Sequence, residues 1–524
     1  MTVRSAKSLR PASAKSPRKI PPAPPPSSAP PPSPSADLLD MDQAIAVLKT
    51  TRPTFYRWLR TGKIKAMKVG RQWRFYRHDI ERFLHGHEPL IEVTGDAPGL
   101  LRILENKLKA LDLKVGPLPP EGAIHEIVNR ILRLAMASHA TDIHIQPPTG
   151  GADTSARLRL RLDGVLHDIA TFDGRLLSPI VDRFKTMAAC ELLQKKRPQD
   201  GRIMMSIDKE EIDTRVNFLP ALMGEMVTLR LLRRETVAFR LAELPFAPRD
   251  LTRIQQALTL PWGIVLTTGP TGSGKTTTLY AALQEHNTPG KKVISVEDPV
   301  EYSFAGMVQI PVNYKENIGF PYLLRAVLRS DPDVVMVGEI RDHETLQICA
   351  QIALTGHLVL STLHTDDAVT ALTRMMDIGL DSFLIIDTVK LVVAQRLIRK
   401  LCRHCSTACD PAPDQLATAA RLAREGGLVW DDLPKHFRGA KGCKECGFTG
   451  YRGRTVAAET LTMSPELAAA LRRKAFVPEL RSIAIAQGMT TMTADALSRA
   501  ATGLTTLEEA LHVIPQATHH SKKE

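Results

Sequence analysis

Apolar and polar positions are distributed along this chain in several distinct ways, and each predicts a different element. In Arg157-Leu158-Arg159-Leu160-Arg161-Leu162-Asp163-Gly164 charged and apolar residues take turns, which predicts a half-buried strand. Ala140-Thr141-Asp142-Ile143-His144-Ile145 alternates in the same manner. Just upstream, Ile124, Ile127, Val128, Ile131, Leu132 and Leu134 share one face of a helix. Farther on the apolar runs are unbroken: Gly263-Ile264-Val265-Leu266-Thr267, Val293-Ile294-Ser295-Val296, Val334-Val335-Met336-Val337 and Leu358-Val359-Leu360-Ser361. Such runs predict strands buried on both faces. The helical patterns between them predict a mostly parallel α/β sheet.

Residues 1–36 carry no period. Pro21-Pro22-Ala23-Pro24-Pro25-Pro26 and Pro30-Pro31-Pro32-Ser33-Pro34 cannot build a core, and six Lys or Arg residues precede the first acid, Asp37. A disordered basic tether is expected. Residues 37–86 predict a separate small unit. Asp40 and Gln43 have capping-box spacing ahead of a first helix. A second helix follows Thr51, with Pro53 in its first turn. Ile64-Lys65-Ala66-Met67-Lys68-Val69 and Gln72-Trp73-Arg74-Phe75-Tyr76 predict a hairpin turning at Gly70-Arg71, and a last helix is expected from about His78 to Leu84. Residues 87–120 predict a linker with a short helix, 121–240 an α+β domain, 241–515 a nucleotide domain with an insert at 400–450, and 516–524 a disordered tail.

Length and charge narrow the class. A chain of 524 residues is too long for one core, so several domains are expected. No apolar run approaches the ~20 residues of a membrane span. The charged N-terminus leads into proline rather than an apolar stretch, so no signal peptide is expected and the cytoplasm is the expected location. The net charge of +13 permits contact with nucleic acid or anionic lipid without requiring it.

The chemistry centres on Gly269-Pro270-Thr271-Gly272-Ser273-Gly274-Lys275-Thr276, which fits the phosphate-binding loop G-x-x-x-x-G-K-[ST] between a strand and a helix beginning at about Thr277. Glycines let backbone N–H groups turn inward around phosphates. Lys275 can reach the β- and γ-phosphates of ATP, and the Thr276 hydroxyl can sit on Mg²⁺. Three further blocks follow strands: Glu297-Asp298-Pro299-Val300-Glu301, the Walker B pattern ending in Glu339, and the pair His357 and His364 around the fourth run. Ligands bind at the carboxyl ends of such strands, where these polar residues are expected to gather. Of seven cysteines, Cys402, Cys405, Cys443 and Cys446 form two C-x-x-C knuckles that fit a structural tetrahedral zinc. Cys409 is near enough in sequence to serve as an alternate ligand, but it is expected to be a bystander.

Two resemblances follow from these residues. Thr54-Phe55-Tyr56-Arg57-Trp58-Leu59, Gly62-Lys63-Ile64 and Val69-Gly70-Arg71-Gln72-Trp73-Arg74 resemble the excisionase-type helix-turn-helix family. On that likeness Arg52, Thr54 and Arg57 would face a DNA major groove, while Lys68, Arg71 and Arg74 would contact phosphates. From about 120 to 512 the chain resembles the ATPases of type II secretion and type IV pilus assembly. The phosphate loop, the acidic block at 297–301, Leu328-Arg329-Ser330-Asp331-Pro332-Asp333 through Gly338-Glu339-Ile340-Arg341-Asp342, Thr355-Gly356-His357 through His364-Thr365, and Arg197-Pro198-Gln199-Asp200-Gly201-Arg202 carry it.

That resemblance implies a RecA-like fold and a homohexameric motor in the cytoplasm, peripheral to the inner membrane and working on a membrane platform protein. It implies Glu339 as the residue orienting the attacking water, Glu297 and Glu301 assisting through the metal, and His364 and His357 sensing the γ-phosphate. Arg197, Arg202, Arg215, Arg325 and Arg329 match arginine-finger candidates, unranked. The tetracysteine insert favours assembly over retraction. Two departures stand out. The helix-turn-helix unit replaces the usual recruiting domain, and Asp366 stands where the family often has asparagine. They keep open two other readings, a DNA-handling motor and a nucleotide-gated DNA-binding regulator.

Overall fold

A computed structural model of the chain describes residues 38–60, 64, 67–69, 72–77, 80, 93–116, 122–150, 154–207, 210–233 and 240–513. The two expected tails, Arg71 and most of the helix expected from His78 lie outside the described residues. The chain divides into two units, Met1–Glu92 and Val93–Glu524.

In the first unit the helices Met41–Val47 and Arg52–Arg60 stand beside three antiparallel strands, β1 (Leu38–Leu39), β2 (Met67–Val69) and β3 (Gln72–Tyr76), in the order β1-β3-β2. Asp40 accepts the Gln43 N–H at 2.8 Å while the Gln43 side chain accepts the Asp40 N–H at 2.9 Å, closing the capping box. Phe55 and Phe75 meet edge to face, with centroids 5.1 Å apart, in a core shared with Leu39, Ala44 and Ile80. Ile64 joins that core, and β2 is described over Met67–Val69, residues 65 and 66 lying outside the described residues.

The second unit starts with the helix Val93–Ala110. Its Leu100, Leu101, Leu104 and Leu108 are buried against the helix Ala123–Ala137 and the sheet beyond. The expected linker at 87–120 is therefore corrected: leucines at helical spacing make residues 93–110 part of a packed domain. Six antiparallel strands follow in the order β6-β5-β4-β9-β8-β7: β4 (Asp142–Gln146), β5 (Ser155–Leu162), β6 (Val165–Asp173), β7 (Gln199–Ile207), β8 (Glu210–Ala221) and β9 (Gly224–Arg233). Alternation works as the pleat requires: Ala156, Leu158 and Leu160 point into the core and the arginines between them point out. Arg159 pairs with Asp168 at 2.9 Å and Arg230 with Asp142 at 3.2 Å, so this face is laced by cross-strand ion pairs.

The remaining strands are β10 (Gly263–Thr268), β11 (Val293–Glu297), β12 (Val308–Pro311), β13 (Val334–Val337), β14 (Leu358–Leu363), β15 (Val389–Leu401), the short β16 (Thr407–Ala408) and β17 (Arg438–Gly439), and β18 (Tyr451–Thr462). Seven form one sheet, β12-β11-β13-β14-β10-β15-β18, parallel except for β18. Every residue of β10, β13 and β14 is buried. Alternate residues feed two cores, Ile264 and Leu266 on one face and Val265 on the other. Helices thus cover both faces, as a parallel sheet demands. Among the described residues no helix is long and apolar enough to cross a membrane.

Candidate active site and metal centre

The carboxyl ends of β10, β13 and β14 are adjacent in the sheet, and the site is built where they stop. After β10 the chain turns through Gly269, Gly272 and Gly274, with φ of 144°, 79° and 90°. A Cβ at Gly269 would lie 2.4 Å from the Gln395 carbonyl oxygen, so only glycine fits there. The helix Lys275–His286 begins at once, directing its N-terminal N–H groups into the loop. Lys275 Nζ donates to the carbonyls of Gly269 at 2.7 Å and Pro270 at 3.1 Å. Burial lowers its pKa, and the charge of Glu339 opposes that shift. Thr276 is exposed in the first turn, Pro270 and Thr271 are exposed, Thr277 is half-buried, and Ser273 Oγ is buried without a hydrogen-bond partner. An orphaned buried hydroxyl in a glycine loop, beside an ammonium and a helix N-terminus, fits a phosphate chain with its Mg²⁺ on Thr276.

Glu339 follows β13. It receives His364 Nε2 at 3.3 Å and an ion pair from Arg341. Its carboxylate raises the Arg341 pKa, chiefly through that hydrogen bond. The structure therefore brings Lys275, Glu339 and His364 to one end of the sheet. Asp366 is paired with Arg396 at 3.0 Å, which offsets the carboxylate that stands in place of asparagine.

Three expectations are corrected. His357 precedes β14, whereas His364 follows it, so a six-residue strand of about 20 Å separates them. The His357 ring lies within 3.1 Å of the Ile352 carbonyl and of Thr355 Oγ1, at the end of the helix His343–Leu354. It caps a helix at the sheet's other edge. Glu297 is 3% exposed and accepts hydrogen bonds from Tyr280, from Ser295 at 2.5 Å and from Gln309 at 3.1 Å, so it lies behind the site. Burial, then the carboxylate, drives the Tyr280 pKa upward. Glu301 faces Arg215 of the preceding domain, at 2.9 Å.

That pair bears on the five arginines. Arg202 is bound to Asp213, Arg215 to Glu301 and Arg325 to Glu344. Arg329 donates to the Arg325 carbonyl at 2.8 Å, and Arg197 is exposed with no partner among the described residues. In the first unit Arg52 is exposed and pairs with Asp42 at 2.6 Å, Arg57 is exposed, and Thr54 and Arg74 are half-buried.

The four cysteines meet. Their sulfurs lie within 4.8 Å of one another, with Cys402–Cys443, Cys405–Cys446 and Cys443–Cys446 each at 3.8 Å. A tetrahedron with Zn–S bonds of about 2.3 Å has edges of about 3.8 Å, so the donor set fits zinc. Backbone N–H groups of Gly442, Cys443 and Gly450 donate to sulfur at 3.3, 3.1 and 3.2 Å, which favours thiolates. Cys409 is exposed and outside the cluster.

Sequence reasoning missed the residues that hold these groups in place. Gln395, fully buried on β15, donates to the Ser273 carbonyl at 2.9 Å and accepts from Thr278 at 2.9 Å. Tyr280 reads as an ordinary helix residue, and its reach to Glu297 depends on the fold. A buried glutamine within an apolar strand was the one available signal.

The family model described as type II/IV secretion system protein matches residues 119–512, and a helix-turn-helix domain model matches residues 38–88. A type II secretion system protein E of Xanthomonas campestris is 40% identical over 401 residues, 76% of this chain and 69% of that protein. The type IV pilus assembly ATPase PilB of Myxococcus xanthus is 36% identical over 436 residues, 83% of this chain and 75% of its own. Among solved structures, the Legionella pneumophila ATPase DotB matches with a TM-score of 0.54 at 22% identity, covering 74% of this chain and 95% of that one. That likeness bears on the fold alone.

Proposed function

The chain belongs to the type II/IV secretion system protein family, and from that premise we propose that it is an ATP-hydrolysing motor for protein secretion or pilus assembly. The observation carrying this reading is the convergence of Lys275, Glu339 and His364 at the carboxyl ends of three adjacent strands. Lys275 and the loop N–H groups neutralise the phosphates, and Thr276 holds Mg²⁺, which supplies charge neutralisation when bound. Glu339 accepts a proton from, or orients, the attacking water, with His364 placed to feel the γ-phosphate through it. Glu297 acts by fixing the helix that follows the loop, through Tyr280.

The motor works as a homohexamer at the inner membrane, on a platform protein. Arg197 and Arg329 are the fingers offered to a neighbouring subunit, because no carboxylate among the described residues holds them. Arg202, Arg215 and Arg325 act only after exchanging partners. Zinc holds the insert together structurally.

A second reading gives residues 38–88 a duplex-DNA contact, supported by the helix-turn-helix match and the exposed Arg52 and Arg57. One experiment addresses both: ATP turnover of the full chain beside Glu339→Gln, with and without duplex DNA. Slow wild-type hydrolysis, a loss of ~10²–10⁴-fold in the variant with nucleotide binding retained, and no response to DNA are expected. Equal turnover in the two proteins would overturn the assignment of Glu339. Strong stimulation by DNA would turn the reading toward a DNA motor.

A further inference from the structure

Beside the zinc knuckle lies a cavity of about 720 Å³ that the ATPase reading does not use. It is lined by Lys400 at the end of β15, Arg403 and His404 within the first knuckle, Arg438 on β17, Arg452 at the start of β18, and Leu504. No carboxylate is among its lining residues. Arg452 pairs outside it with Glu445 at 2.8 Å, and Arg438 donates to the neutral Ser406 at 3.0 Å. The side chains of Lys400, Arg403 and His404 have no hydrogen-bond or ion-pair partner among the described residues. Of the four Lys and Arg residues at the cavity, then, only Arg452 is compensated.

Converging like charges repel, and an anion that fills the space removes that cost. Guanidinium groups present paired N–H donors matched to phosphate oxygens, and compact multiply charged groups serve several cations at once. The volume lies in the range of organic-ligand pockets, well above one phosphate ion. We infer that this cavity is a binding site for a phosphate-bearing organic anion, distinct from the phosphate loop. Such an anion is either a soluble polyphosphate ester or a lipid headgroup.

The site can be tested without reference to hydrolysis. Lys275→Ala in the full chain weakens the competing phosphate loop, and calorimetry with tripolyphosphate on that background reads the difference made by substitutions at the cavity. Adding Lys400→Gln and Arg403→Gln should weaken binding at least about tenfold, the scale of losing one charge-assisted contact. Both side chains are unpartnered, so zinc content and melting temperature should not change. Arg403→Gln alone is the milder control, with a smaller loss expected. Sedimentation with phosphatidylglycerol vesicles, against phosphatidylcholine vesicles, separates the sources. Tripolyphosphate binding lost in the variant supports a soluble ligand. Binding to the anionic vesicles alone, lost in the variant, supports a headgroup. No binding to either probe, or binding unchanged by the substitutions, overturns the proposal.

Discussion

The phosphate loop and the four-cysteine cluster are both turns of backbone that hold charge, and folding finishes them to different degrees. Around the cysteines, three sulfur–sulfur edges already have the tetrahedral length and three N–H groups already point at sulfur. In the phosphate loop the ammonium of Lys275 is bonded to its own loop's carbonyls, and a buried hydroxyl stands unpartnered. A metal that stays is served by donors fixed in advance. A nucleotide that turns over is served by groups whose contacts are exchanged in every cycle.

The largest expected effect tests the finished site. Structural zinc contributes on the order of 10 kcal/mol in small domains. Cys443→Ser should therefore lose the metal by elemental analysis and open residues 400–450 to protease, while ADP still binds. Retention of full zinc content would break the comparison. Next comes Lys275→Ala, expected to cut turnover by ~10²–10³-fold, with little change in melting temperature. A large loss of stability there would mean that the loop, too, is fixed by folding.

Gln395→Ala sharpens the contrast by removing the support behind the loop. It leaves the Ser273 carbonyl and the Thr278 hydroxyl without partners, a cost of about 1–3 kcal/mol in denaturant unfolding. Nucleotide affinity should fall with it.

A further effect is one of pH. Glu459 is fully buried on β18, accepting the N–H groups of Ala368 at 2.7 Å and Met492 at 2.9 Å. Burial, with the Asp367 charge nearby, pushes its pKa up to about 7, from 4.5. The folded chain then holds a proton that the unfolded chain has released, so stability falls as pH rises from 4.5 to about 7. Glu459→Gln should flatten that slope in thermal melts and leave turnover at fixed pH nearly unchanged.

Local features were legible where spacing alone carries the meaning. The capping box at Asp40, the alternation in β5, the apolar runs of the parallel sheet and the paired C-x-x-C knuckles each express a geometry that neighbouring residues determine. What was not legible depends on direction and distance in three dimensions. In block 355–365 the strand between the two histidines is legible, but the family likeness gives both the same role, and only the length and direction of β14 put them at opposite ends of the sheet. Arg215 and Glu301 lie 86 residues apart, and only the docking of two domains makes them partners. Residues 87–120 predict a short helix within a linker; the helix is there as Val93–Ala110, but that its leucines pack into the following domain is set by the fold and not by local spacing.

β15 has a mechanical consequence. One end of it lies against β10 and sends Gln395 to the phosphate loop; its other end runs directly into Cys402, whose N–H is held by the Gly450 carbonyl at 2.9 Å. Six residues, a span of about 23 Å, separate Gln395 from that cysteine, paired with β18 except for an irregularity at Lys400. A strand hydrogen-bonded to its neighbours resists both bending and stretching, so it acts as a strut between the glycine loop and the four-cysteine cluster. The amides of its paired stretch should exchange with solvent as a single unit.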